Sequence, residues 1–399
     1  MRRRPAIAAF AGVFVVTMLG LLAVGATLPV LPRYVKGPIG STDFAVGIVS
    51  GAFAVTGLAF RPLAGRIADR RGRRIAVIAG ALLSAVAGVL YFVPAGVPGL
   101  IVARLFLGAG EGMVFTAGSA WVVDLAPPER RGRLIGLYGL AIWSGLSLGP
   151  PIGELLLRAS SFELVWAFAA VAPLLGAVIA TRIPETFSPH AGAASRGPLI
   201  ARESVRPGLA LSLGVVGFAV IAAFLVLHLE ERGIGHGAET FAAFAATVVL
   251  VRLAGGDLPD RLGPVPCAVG AALVEAAGLA IVGLAESPGM AIAGAMIMGG
   301  AYSTLYPALA LIVVEQVPEE RRGAALGTFT ACFDLGVGLG SPLVGAVAAL
   351  GGYSAAFFAG AACAVAAAAV AFALPGGARS GPLEAREVSL APRRGSASP

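Results

Sequence analysis

The chain alternates between long apolar runs and short segments rich in arginine, glycine, proline and acid. A helix needs about 20 apolar residues to cross the hydrocarbon core of a bilayer. By that length the pattern predicts twelve spans: 7–31, 43–63, 74–93, 98–123, 133–157, 162–183, 207–229, 238–257, 265–285, 288–314, 323–349 and 353–374. Gly and Pro interrupt several of them, which neighbouring helices tolerate in a membrane by re-satisfying the freed backbone groups. Small pairs such as Gly108/Gly112 and Gly336/Gly340 predict close helix contact. The first run follows Arg2, Arg3 and Arg4 and ends in small residues near Ala23–Ala26, as a signal peptide does. It is long enough to span and reads as an uncleaved first helix.

The runs repeat. Gly65, Asp69, Arg70 and Gly72 return at Gly256, Asp260, Arg261 and Gly263, a constant offset of 191 residues. At that offset Pro127–Gly132 returns at Pro318–Gly323, and Gly136, Gly145, Gly149 and Pro151 return at Gly327, Gly336, Gly340 and Pro342. The prediction is an all-α membrane protein of two pseudo-symmetric six-helix bundles, 1–183 and 207–374. Residues 184–206, with Pro, Gly, Ser, His and Arg, read as a linker, and 375–399 as a disordered tail. Paired repeats about a central site are the architecture of carriers that rock.

Composition narrows the class. Apolar residues make up 57% and charged residues 13% of the chain, against about 25% charged in a soluble domain. The +7 balance lies between apolar runs without an aromatic-basic stripe, so it reads as a topology signal and not as a nucleic-acid surface. With both termini in the cytoplasm, that side receives Arg2–Arg4, the 61–74 cluster, Arg130, Arg131, Arg133, the linker, Arg252, Arg261, Arg321, Arg322 and the tail. The outer side keeps Arg33, Lys36, Arg158 and Arg232. Richness in Arg, Ala and Gly suggests a bacterial source, hence a multi-pass protein of the inner membrane. Cys267, Cys332 and Cys363 lie in apolar runs without ligand spacing, as packing residues do. No phosphate loop, HExxH or Ser/His/Asp set is present, and His190 and His236 fall in loops. The sequence predicts no enzyme, metal or cofactor, and the missing phosphate loop disfavours ATP as the energy source.

Between the second and third runs stands Gly65-Arg66-Ile67-Ala68-Asp69-Arg70-Arg71-Gly72-Arg73-Arg74. It resembles the cytoplasmic loop signature of the major facilitator superfamily, with Ile at one position where Leu is usual. The second copy, Gly256 to Gly263, keeps the Leu and loses the trailing basic pair. The resemblance implies a gating latch in Gly65, Asp69, Arg70, Gly72, Arg73, Gly256, Asp260, Arg261 and Gly263. Asp69 is suited to accept charge-assisted hydrogen bonds from arginines or to sit at a helix N-terminus. A solvated topogenic charge run is the plainer reading. The segments Asp124–Arg133 and Glu315–Arg322 begin in acid and end in arginine, and predict salt bridges at helix ends or between bundles.

In the fourth run, Arg104, Gly108 and Gly110 resemble the superfamily's helix-4 signature, and Arg104, Gly108 and Glu111 share a helical face. A charge near the bilayer midplane costs about 2.5–3.5 kcal/mol on insertion scales, so such a residue faces the bundle and usually functions. Glu111 is the first candidate for a proton-carrying carboxylate; a protonated interhelical role is its alternative. Arg104 reads equally as a relay partner or as a packing residue on helix carbonyls. Asp334, in the eleventh run, is the second proton or substrate candidate. Gly136, Gly145, Gly149, Pro150 and Gly153 resemble the helix-5 signature of drug:proton antiporters, except that Glu154 stands where a closing glycine is expected. Tyr302, the counterpart of Glu111, clusters with Ser303, Thr304 and Tyr306, and Trp143 is the counterpart of Asp334. All five are expected to line the substrate cavity. Glu275 reads as a protonated interhelical residue, and His228 as an interfacial or satisfied one.

The resemblance spans about 7–374 and implies alternating access around a cavity lined by helices 1, 4, 7 and 10. The function expected from it is proton-coupled efflux of a small hydrophobic drug or metabolite by a monomer, with a proton gradient as the energy source and protons and membrane lipid as its other partners. Two other readings stand: a proton symporter for a sugar or organic acid, and a non-transporting sensor.

Overall fold

The computed structural model describes residues 3–126, 131–186, 201–255, 258–318 and 321–375. The described residues are helical, with no strand among them. The first half holds α1 (Arg3–Thr27), α2 (Val30–Lys36), α3 (Asp43–Arg71), α4 (Arg73–Leu90), α5 (Gly96–Leu125), α6 (Arg131–Ala159) and α7 (Phe162–Arg182). The second holds α8 (Val205–Glu231), α9 (Gly237–Ala254), α10 (Leu258–Leu262), α11 (Pro264–Gly283), α12 (Pro288–Glu315) and α13 (Arg322–Phe372). Eleven described helices are long and apolar enough to cross a membrane. The last of them carries two predicted spans, with a kink at Gly352 where φ is 78°. The first predicted span instead divides at Leu28-Pro29, between the end of α1 and Pro29, the N-cap of α2.

Residues Gly65 to Arg71 are not a loop, as their arginines suggested, but the last two turns of α3. A 29-residue helix is about 43 Å long, well beyond a hydrocarbon core of about 30 Å. Its basic end therefore stands clear of lipid while the backbone stays hydrogen-bonded. The turn itself is one residue, Gly72, at φ 109° and ψ 154°. Its repeat partner Gly263 joins α10 to α11 at φ 88° and ψ 146°. Side chains with a Cβ rarely adopt this region, so the same backbone need explains glycine at both sites.

The sequence offset recurs in the packing. Gly108 of α5 lies against the Phe53 carbonyl oxygen, and Gly299 of α12, 191 residues on, against that of Phe244. Gly145 lies against Leu21 of α1 and Gly149 against Gly25; Gly336 and Gly340 meet Ser212 and Val216 of α8 at the same offset. A Cβ at Gly149 would stand 2.5 Å from the Gly25 Cα, so this seam requires its glycine. Apolar burial gives little drive between helices already in lipid, and close backbone approach through small residues takes its place. The main contacts between halves are α3 with α13 and α6 with α9. Large apolar side chains such as Val55, Leu155, Leu175 and Leu343 are exposed on the flanks, as a lipid-facing surface requires.

Candidate functional site

Between the halves lies a cavity of about 680 Å³. Its wall begins near Leu28, Ser50 and Ser341 and runs past Glu111, Trp143 and Tyr302 to Gly255 and Pro259. It therefore reaches the end of the molecule that carries the arginine clusters. At the opposite, arginine-poor end the helices close: a Cβ at Gly47 of α3 would overlap the Ser341 carbonyl oxygen of α13, and Gly345 meets Asp43 and Gly47.

Glu111 lines this cavity from α5, half-buried, and makes no hydrogen bond or ion pair; its Oε1 is buried without a partner. Arg104 is 1% exposed. It donates from Nε to the Val49 carbonyl at 3.2 Å and from Nη2 to the Ser50 carbonyl at 2.9 Å. Its guanidinium lies 4.6 Å from the Phe53 ring centroid. Carbonyl contacts of this kind are one of the two roles its sequence allowed.

Asp334 of α13 also lines the cavity, and it is paired. Arg61 of α3 donates to it from Nε at 2.7 Å and from Nη2 at 3.0 Å. A two-pronged guanidinium–carboxylate contact is among the stronger hydrogen-bonded pairs. This one joins the two halves inside the cavity, and Arg61 also stands 5.0 Å from the Phe115 ring. The sequence reading set Arg61 with the cytoplasmic cluster, and that is corrected: it faces the cavity. The same correction applies to Arg252 of α9, another cavity residue. Arg104 is thus one of three arginines in the wall.

Trp143, Tyr302, Ser303, Thr304 and Tyr306 all line the cavity. The Trp143 ring meets Tyr302 edge-on with centroids 5.5 Å apart, and Tyr302 stacks on Phe218 at 5.7 Å. Phe244, fully buried, backs this shelf by packing on Trp143 and Tyr302; sequence reasoning missed Phe218 because it looks like an ordinary apolar residue. Ser303 and Thr304 hydroxyls satisfy helix carbonyls of Val248 and Ala301. Tyr306 shares a hydrogen bond with Thr330 at 3.0 Å, whereas the Tyr302 hydroxyl is buried without a partner.

The arginine-poor end is tied across the halves. Glu154 of α6, 8% exposed, accepts from Arg33 and from Arg158, and Arg33 also binds Glu230 of α8. Arg158 lies 4.0 Å from Glu239 of α9. Lys36 pairs with Asp43 at 2.9 Å, and Asp43 accepts from the Tyr353 hydroxyl at 2.9 Å. Glu154, the departure from the helix-5 pattern, is thus the acid at the centre of this network. Gly145, Gly149 and Gly153 of that pattern pack α6 on α1 around Pro150, and Gly136 falls within α6.

At the arginine-rich end the ion pairs of Arg73 and of Arg321 each stay within one half. Arg73 bonds Asp69 at 2.5 Å and Asp124 at 3.1 Å, and Glu185 accepts from the backbone N–H groups of Arg73 and Arg74. In the second half Arg321 pairs with Glu203 at 3.1 Å. Arg70 and Asp260 are exposed, Arg261 lies in α10, and a Cβ at Gly65 would meet nothing within 4 Å. Close helix approach is therefore not what Gly65 provides here. Gly256 lies outside the described residues, as do Pro127–Arg130, most of the linker and the tail.

Two buried groups stand apart from the cavity. Glu275 of α11 is fully buried on the inward face of its helix, beside Gly214 and Gly217, and neither oxygen has a partner. His228 is fully buried and not interfacial; its Nε2 meets the Val282 carbonyl at 3.0 Å and its ring lies on Phe357. No group of His, Cys, Asp and Glu among the described residues is placed to hold a metal.

The geometry, two repeated bundles around a central cavity closed at one end, has known counterparts. The family model for the Major Facilitator Superfamily matches residues 13–266 and 208–397. An uncharacterised MFS-type transporter of Salmonella typhimurium is 34% identical over 362 residues, covering 88% of this chain and 92% of that one. Among solved structures, a D-xylose–proton symporter superposes with a TM-score of 0.75 at 17% identity, covering 92% of this chain and 98% of its own. A bacterial homologue of the human lysosomal transporter Spinster, in an inward-facing and occupied conformation, gives 0.75 at 17% identity over 91% and 95%. These structures share the fold. The chain belongs to the major facilitator superfamily, a family of membrane transporters and not of enzymes.

Proposed function

We propose that this transporter exports a small compound with an apolar body in exchange for protons, with Glu111 carrying the proton. The observation that carries the reading is the site of Glu111: a carboxyl in the wall of an apolar, aromatic-shelved cavity, with no partner holding it in either protonation state. The arginine-rich end and both termini are assigned to the cytoplasm of a bacterial cell, by the excess of arginine there. The cavity then faces inward, which is the loading state of an exporter. Substrate loads as Glu111 yields its proton. The arginine-rich end closes, and the ties of Arg33, Glu154 and Glu230 open at the other. Glu111 is reprotonated from outside and the carrier resets. The pair of Arg61 and Asp334 is the second proton site, because protonating Asp334 releases the bond between halves. A proton entering down 100 mV supplies about 2.3 kcal/mol, enough for roughly fifty-fold accumulation of an uncharged substrate outside.

The test is transport by reconstituted protein under an imposed pH gradient of either sign. Glu111→Gln should abolish uphill export while ligand binding remains; undiminished uphill export by that variant ends the role given to Glu111. A second reading, uptake of an organic acid together with protons, is favoured by one observation. Three arginines face the cavity against two carboxylates. The same assay separates the two, since uptake driven by an inward proton gradient requires the second.

A further inference from the structure

Arg252 is a cavity cation for which the described residues provide no carboxylate and few hydrogen bonds. Its Nη2 reaches the Ser303 carbonyl at 3.5 Å, the outer limit of a hydrogen bond. Its Nε is buried with no partner. Its Nη1 lies 3.6 Å from where a Cβ at Gly139 of α6 would stand, so the side chain reaches across to the first half. Tyr302 and Tyr306 are the titratable groups that face it. The other two arginines have more partners: Arg61 carries Asp334, and Arg104, though its Nη1 is buried without a partner, rests on two carbonyls and the Phe53 ring, on the same helix face as Glu111. Even with Glu111 ionised, one positive charge is left over in the wall. Burial can strip the proton from a lysine but not from an arginine. The cation therefore persists through the cycle and favours a negative group arriving with the substrate.

The surroundings give that group a shape. A guanidinium with free N–H donors matches the two oxygens of a carboxylate, or the oxygens of a sulfonate or phosphonate. The Tyr302 hydroxyl, buried and unpartnered, belongs to the residue next to Ser303 and can donate a further hydrogen bond. Behind it stand the edge-on Trp143 ring and the stacked Phe218 ring, a surface for a flat apolar body. We propose that Arg252, with the Tyr302 hydroxyl, anchors the anionic group of an organic monoanion whose apolar body lies against Trp143 and Phe218. This rests on the cavity being the transport site, and it holds for either direction of coupling.

The experiment uses one aromatic scaffold in three charge forms: 2-naphthoate, its uncharged methyl ester, and 2-naphthylmethylammonium. Binding is measured on purified protein by calorimetry, and flux in proteoliposomes. The wild type should bind naphthoate at least ten-fold more tightly than the ester or the amine. Arg252→Gln should remove that preference while leaving ester binding within two- to three-fold, which also shows that the variant is folded. Arg252→Lys should keep part of the preference, and Tyr302→Phe should weaken naphthoate several-fold and the ester by less. Unchanged naphthoate preference in Arg252→Gln overturns the anchor. A wild type that binds or moves the ester or the amine in preference overturns the anion assignment and leaves the transport site standing. If no form binds or moves, the cavity's role as the substrate site fails, and the anchor with it.

Discussion

The two ends of the molecule use charge in opposite ways. The arginine-poor end has few cations, and each is engaged. Arg33 and Arg158 meet at Glu154 and reach Glu230 and Glu239 in the other half, and Lys36 holds Asp43, which also takes the Tyr353 hydroxyl. Arg232 reaches the Ala285 carbonyl and the Ser354 hydroxyl within its own half. The arginine-rich end has many cations, yet the described ion pairs there, Arg73 with Asp69 and Asp124 and Arg321 with Glu203, join neighbours within a half. The number of charges at an end is therefore a poor guide to its mechanical part. In the proposed cycle abundance is a signal of topology, and pairing across the seam is the contact that must break for the halves to rock.

The strongest way to break this contrast is Glu154→Gln. It removes the acid that two arginines share at a site only 8% exposed. Breaking a fully buried pair costs about 3–5 kcal/mol and an exposed one about 0–1, so an intermediate value shifts the balance between conformations roughly ten- to hundred-fold. Spin-label distances across the arginine-poor end should lengthen, and an unchanged distribution would deny that these ties hold the end shut.

Next in size is Asp334→Asn, which removes the ionic tie to Arg61 within the cavity. Both labels and flux should report a change of several-fold to ten-fold. A double-mutant cycle with Arg61→Gln should show coupling near the whole effect of either single change. Strict additivity would mean that the contact does not act as a pair.

The smallest effect expected is that of Asp69→Asn. The Asp69 side chain is 62% exposed, and such a pair contributes about 0–1 kcal/mol. In the present state the change should move conformational balance by no more than a few-fold. In a Glu154→Gln background, where the arginine-rich end closes more often, its effect should grow. The same small value in both backgrounds would remove the latch that the loop resemblance implies.

What was readable in advance follows the range of the interactions. Glu111 could be found because an acid deep in an apolar run has few structural uses. Trp143 and Tyr302 followed from their places as repeat counterparts. Arg61 and Arg252 were misread because an arginine near a helix end looks the same whether it turns to water or into a cavity. For Arg61 the difference is Asp334, 273 residues away in the chain. Glu154 registered only as a flaw in a glycine pattern, since its meaning lies in Arg33 and Arg158. The close of α3 at Gly72 was misplaced because basic residues were taken to end a helix that needs no lipid to continue.

By itself the sequence determined the spans, the duplication and the membrane setting. Each of these is local: a run of apolar residues long enough to cross a bilayer, or a pattern repeated at fixed spacing. The tertiary structure alone decided which end is sealed, which charges neutralise one another and which arginine is left over. Those are properties of residues brought together from both halves, and electrostatic energy depends on separation in space, which chain order does not encode.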